Sequence, residues 1–166
     1  MNRFVSHILR RFWREERGAA LVEFAIMLPM MLLFFAVIIE GGRLMWSYQA
    51  VASGVRDAAR YLARVTPRDI CLSGGNVGTY TSDLEAIIRQ SKDGSNLFPS
   101  GITVTSVTPS LSCVSGTYRN SPAPVTEVTA NLTVTFPFAS VFSFAGGTNL
   151  VTINTTISDQ SRVFGT

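Results

Sequence analysis

From Ala19 to Ile39 the chain is almost wholly apolar, with a single charge, Glu23, in twenty-one positions. At 1.5 Å per residue a helix of that length rises about 31 Å, enough to cross the hydrocarbon core of a bilayer. A chain of 166 residues has little interior in which to bury such a helix, so the pattern predicts a transmembrane segment. The helical period then continues in amphipathic form. Leu44, Tyr48, Val51, Val55, Ala58 and Leu62 recur at spacings of three and four, while Arg43, Gln49, Ser53, Arg56, Asp57 and Arg60 fall mostly on other faces. Gly41 and Gly42 weaken helix propensity where the segment leaves the membrane. Thr66-Pro67 ends the helix, because the residue before proline disfavours the helical region.

The stretch 67–81 is rich in Gly, Ser, Asn and Thr and reads as loop. Ser82 and Glu85 fit the S-x-x-E capping box of a short helix, with Leu84, Ile87 and Ile88 as its apolar face and 93–96 (Asp-Gly-Ser-Asn) closing it. Beyond Gly101 the period becomes two. Ile102 and Val104 alternate with threonines, as do Val128, Ala130, Leu132, Val134 and Phe136, and then Val151, Ile153, Thr155 and Ile157. Such alternation gives each strand one buried and one wet face, which favours antiparallel pairing. Between Thr108 and Pro124, proline, serine and glycine suggest a long connection. The expected fold class is α+β, a long N-terminal helix leaning on a small antiparallel sheet. The organisation expected is a leader at 1–18, a transmembrane and amphipathic helix at 19–65, and an α+β domain at 66–166.

The charge is unevenly placed. The formal net charge is +3, and Arg3, Arg10, Arg11, Arg14 and Arg17 against Glu15 and Glu16 already account for it. The excess belongs to the leader and does not describe a nucleic-acid-binding surface. Arginines on one side of the segment hold that side in the cytoplasm, so the C-terminal domain is expected outside it. Export would permit a disulfide between Cys71 and Cys113, the alternative being two unrelated thiols. Two cysteines and His7, which falls in the leader, do not assemble a four-ligand metal site. Gly74-Gly75 lacks the strand–glycine–helix context of a phosphate loop. No nucleophile–base arrangement or close carboxylate pair points to catalysis, and no cofactor or small-molecule substrate is expected. Phe136, Phe138, Val141, Phe142 and Phe144, ending in Gly146-Gly147, read as core and turn or as a docking surface.

Glu23 has two readings. Near the cytoplasmic end of the span, its carboxylate can snorkel to the interface; alternatively it has a cationic partner within the membrane. No basic residue lies between Arg17 and Arg43 to supply one.

Arg17-Gly18, then Ala19-Ala20-Leu21-Val22-Glu23-Phe24 and an apolar segment, resembles the processing site of type IV prepilins. It is most similar to the minor pilins of Tad-type (Flp) pili, the TadE-like group, and the resemblance is strongest over 17–62. It implies a pilin-like fold and a membrane peptidase that cuts between Gly18 and Ala19. Glu23 becomes the fifth residue of the mature chain and, with Phe24, an assembly contact. The cut would create an α-amino cation on Ala19, with a reference pKa of about 8, either four residues from Glu23 in the same helix or beside the Glu23 of a neighbour. Pro29 lacks a backbone donor and is read as a helix kink, either merely tolerated or useful in filament packing. The long exported domain and Phe24 in place of the usual tyrosine point away from the bulk subunit. The expectation is a minor pilin or pseudopilin in the bacterial inner membrane, N-terminus in the cytoplasm and C-terminal domain in the periplasm, contributing to pilus assembly and so to adhesion. The implied partners are the lipid bilayer, the prepilin peptidase, other pilins and the assembly platform. Two rivals stand: an uncleaved envelope-anchored binding protein, and a secreted domain released by signal peptidase after Ala50-Val51-Ala52.

Overall fold

The computed structural model describes residues 16–91, 93–137 and 152–165. The leader up to residue 15, with His7, lies outside the described residues, as do Phe138, Val141, Phe142, Phe144, Gly146, Gly147 and Val151. The elements run α1 (Glu16–Val65), α2 (Ile70–Ser73), a 3-10 turn (Gly78–Tyr80), α3 (Thr81–Arg89), β1 (Ile102–Val114), β2 (Ala123–Thr135) and β3 (Thr152–Arg162). The three strands form one antiparallel sheet in the order β1-β2-β3. The fold is α+β, a long N-terminal helix with a small antiparallel sheet. Two compact units divide between Glu40 and Gly41, so residues 41–65 of α1 belong with the sheet.

In the second unit, Val51, Val55, Ala58 and Leu62 are completely buried, as the amphipathic stripe predicts. The stripe starts differently from the sequence reading. Tyr48 is exposed and Ser47 is buried, because the buried row runs 47, 51, 55, 58, 62 and position 48 is rotated about 100° further round the helix. These residues join Leu84 and Ile88 of α3 and Ile102, Val104, Val128, Ala130 and Leu132 of the sheet in one core. Burying each of the larger side chains contributes about 1.5–3 kcal/mol.

α1 ends where expected. Thr66 directs both its backbone N–H (3.0 Å) and its hydroxyl (2.7 Å) to the Leu62 carbonyl, and Pro67 prevents continuation. The segment expected to be loop instead contains α2 and the 3-10 turn. Gly74, at φ +71, closes α2 in the left-handed conformation that glycine adopts without a Cβ penalty. The expected capping box is absent. The 3-10 turn feeds straight into α3, Thr81 is already helical, and its hydroxyl bonds to the Gly78 carbonyl at 2.8 Å, so Ser82 is never at the helix boundary. Glu85 instead pairs with Arg89 one turn on, at 3.4 Å.

The largest departure concerns the connection expected between Thr108 and Pro124. β1 continues to Val114 and β2 begins at Ala123, so only 115–122 are left as a turn. A bulge explains why the alternation was lost. Val104 pairs with Leu132 but Ser106 with Asn131, leaving Thr105 as an extra residue. Inward positions are 102 and 104 before the bulge and 107, 109 and 111 after it.

Candidate assembly site

In the first unit, residues 18–39 are helical and Ala36 is their only buried side chain. Leu21, Phe24, Ile26, Met30, Phe34 and Ile38 each expose more than half of their surface. An apolar surface of this extent is covered in the working protein by lipid or by other apolar helices. α1 is the one helix among the described residues long and apolar enough to cross a membrane.

The expected site residues take definite places on it. Gly18 and Ala19 lie within the helix, and α1 is already helical at Glu16, the first described residue. A cut at the bond between them would require the helix to open around Gly18. Glycine at position 18 lowers the cost of opening by about 1 kcal/mol relative to alanine. Ala19 and Glu23, four apart, share a helix face, and Phe24 stands about 100° further round. Both Glu23 and Phe24 are exposed, and among the described residues no cation partners Glu23. Pro29 lies inside α1, whose helical run continues through it and through Gly41-Gly42.

Cys71 and Cys113 form a disulfide, with S–S 1.97 Å and Cα–Cα 5.8 Å, joining α2 to the far end of β1. Ala50, Val51 and Ala52 sit in mid-helix, with Val51 fully buried and the Ser53 hydroxyl bonded to the Ala50 carbonyl at 2.9 Å. A signal peptidase would have to cut through the core-forming part of α1.

One structural residue escaped the sequence reading. Arg43 reaches from α1 to the Ser100 carbonyl at 2.6 Å. Next to it Gly101, at φ +87, lies where a Cβ would come 3.0 Å from the Thr135 carbonyl oxygen. The pair fixes the start of α1 within the second unit against the start of β1. A lone arginine after two glycines gives no periodic signal of this role.

A single N-terminal apolar helix leading into an α+β domain has the form of a single-pass membrane anchor. The family model described as TadE-like protein matches residues 18–60, beginning at Gly18 and covering the apolar segment and most of the amphipathic helix. Over that stretch, about a quarter of its length, the chain is similar to TadE-like proteins. Comparisons with curated proteins and with solved structures give no match.

Proposed function

We propose that the protein is a minor pilin or pseudopilin of a Tad-type pilus. It is inserted in the inner membrane with its N-terminus inside, cut between Gly18 and Ala19 by a prepilin peptidase, and then drawn into the pilus or its base, so contributing to assembly and adhesion. The observation that carries this reading is the uncovered apolar helix bearing Glu23 four residues beyond Ala19, within a TadE-like match that begins at residue 18. Cleavage converts the Ala19 amide nitrogen into an α-ammonium. The carboxylate of Glu23 on one subunit then meets the ammonium of Ala19 on the next. In surroundings of low dielectric that attraction is far stronger than in water, and leaving either charge alone is costly, so the pair sets the axial register of neighbouring helices.

N-terminal sequencing of protein from native membranes tests the proposal. A mature terminus at Ala19 is expected. A chain that still starts at Met1 in cells with active peptidase would make it an uncleaved anchored protein. A start at Ser53 would make it a secreted domain, although that cut would remove the buried Val51 from the core.

A further inference from the structure

At the end of the domain where α1 stops, the segment after the helix and the β1–β2 turn enclose an open groove of about 400 Å³. Arg68, Asp69 and Leu72 line one wall, and Arg119 and the residues up to Pro122 line the other. The Cys71–Cys113 disulfide ties α2, which carries Leu72, to the end of β1 that leads into the turn. Exposed apolar groups accompany the groove: Leu72, which lines it, keeps 75% of its surface in solvent, and Tyr118, the residue before Arg119, keeps 48%. Arg68 donates its Nε–H to the carbonyl of Phe164, itself 65% exposed. Arg162 lies 5.7 Å from the centroid of the Tyr118 ring. Two arginines and one carboxylate, Asp69, thus line the groove, in a chain that from Gly18 onward has equal numbers of basic and acidic side chains, eight arginines and Lys92 against nine acids.

We infer that this groove is a docking site for an acidic segment of a different protein, one that presents carboxylates to Arg119 and Arg68 and an apolar side chain to Leu72 and Tyr118. Charge complementarity argues for the occupant. Arg119 is exposed and makes no ion pair with any described residue, and a guanidinium fork suits a carboxylate in bidentate fashion. Exposed aromatic and aliphatic groups beside arginine are the composition of interface anchors. A second copy of this chain is a poor occupant, because four of its surface acids already have partners, while Glu127 and Asp159 stand singly within β2 and β3 and form no acidic segment. Asp57 faces Arg60, Glu85 faces Arg89, Asp83 accepts from Tyr61, and Asp93 accepts from Ser95. The inference does not depend on cleavage at Gly18.

The test is site-specific photo-crosslinking in the native host, with a photoreactive residue replacing Leu72 in the full-length chain and the crosslinked peptide identified by mass spectrometry. The expected result is one partner protein, attached through a peptide containing at least two aspartates or glutamates. Arg119→Glu should reduce the crosslink about tenfold or more, Arg119→Lys should retain much of it, and replacing the partner's carboxylates by arginine should restore it to Arg119→Glu. Formation of the Cys71–Cys113 disulfide in each variant checks folding. A crosslink to lipid, to a second copy of this chain or to a peptide without carboxylates would overturn the inference, as would no crosslink or one indifferent to Arg119→Glu.

Discussion

Gly54 of α1 lies so close to Ile88 of α3 that a Cβ at position 54 would stand 3.2 Å from the Ile88 Cα. The neighbour is backbone, which cannot rotate away. Alanine there gains about 1 kcal/mol of helix propensity and loses a comparable amount to the tight contact, so Gly54→Ala should leave stability nearly unchanged. Gly54→Leu must push α3 from the core and should cost about 1–3 kcal/mol. Urea denaturation of the full chain in detergent, followed by tryptophan fluorescence, checks both. A Gly54→Leu midpoint equal to that of the wild type would show that the two helices are not in close contact.

The disulfide closes a loop between residues 42 apart in sequence. On the chain-entropy account, a loop of that length stabilises the fold by about 4 kcal/mol. Replacing Cys71 and Cys113 together by serine should therefore lower the unfolding free energy by about 3–4 kcal/mol, with the secondary structure retained. Circular dichroism against urea for the double variant, beside the wild type with and without reductant, measures the loss. Coincident curves would mean that the bridge contributes nothing to stability.

The legible parts of the sequence were those with an uninterrupted period. The apolar run 19–39, with only Glu23 inside it, the stripe through Val51, Val55, Ala58 and Leu62, and the alternation in β2 each stand in the structure. The second half of β1 was hidden because Thr105 shifts the phase by one residue, and Pro109 and the serines around it look like loop once the phase is lost. The capping box misled for a related reason. A local motif says where a helix can start, while the preceding 3-10 turn had already set the helical conformation. At the site, Gly18 and Glu23 stood out through spacing and charge. Arg43 and the groove around Arg119 arise only from tertiary juxtaposition.

If Glu23 fixes the register between subunits, removing its charge while keeping its shape should separate processing from assembly. Glu23→Gln should be cut after Gly18 at a rate near that of the wild type. Loss of a contact worth at least about 1.4 kcal/mol should reduce its incorporation about tenfold. Immunoblots of membrane and sheared-pilus fractions read both quantities. Normal incorporation of the processed variant would leave Glu23 no role beyond snorkelling.

Asp93 accepts hydrogen bonds from the Ser95 hydroxyl at 2.7 Å and its backbone N–H at 3.1 Å, which hold the carboxyl below its ordinary pKa. A depressed folded value means that the stabilisation is present above the unfolded pKa of about 3.9 and is lost as pH falls through the folded value. Asp93→Asn, which cannot titrate, should be less stable than the wild type at pH 7, and the gap should narrow at an acid pH well below the unfolded pKa of about 3.9. Parallel denaturation midpoints at the two pH values measure it; a gap that stays constant or widens in acid contradicts the assignment.

The bulge makes a sharper prediction, because it distinguishes two deletions of one residue each in the same strand. Removing Thr105 turns the Thr105–Ser106 pair opposite Asn131 into an ordinary one-to-one pairing. Ile102 and Val104 stay inward, Val107 and Leu111 keep their side, and Cys113 still meets Cys71; the loss is chiefly the Thr105 hydroxyl's bond to the Asn131 carbonyl at 3.1 Å, about 1 kcal/mol. Removing Ser110 from the regular part shifts every later residue by one. Leu111 and Cys113 are then carried to the polar face, where Ser106, Asn131 and Thr156 bond side chain to side chain across all three strands. Deletion of Thr105 should leave both thiols resistant to alkylation in non-reducing conditions, whereas deletion of Ser110 should leave both reactive. Mass spectrometry after alkylation distinguishes them, and equal behaviour of the two deletions would mean that the register of β1 is not set at the bulge.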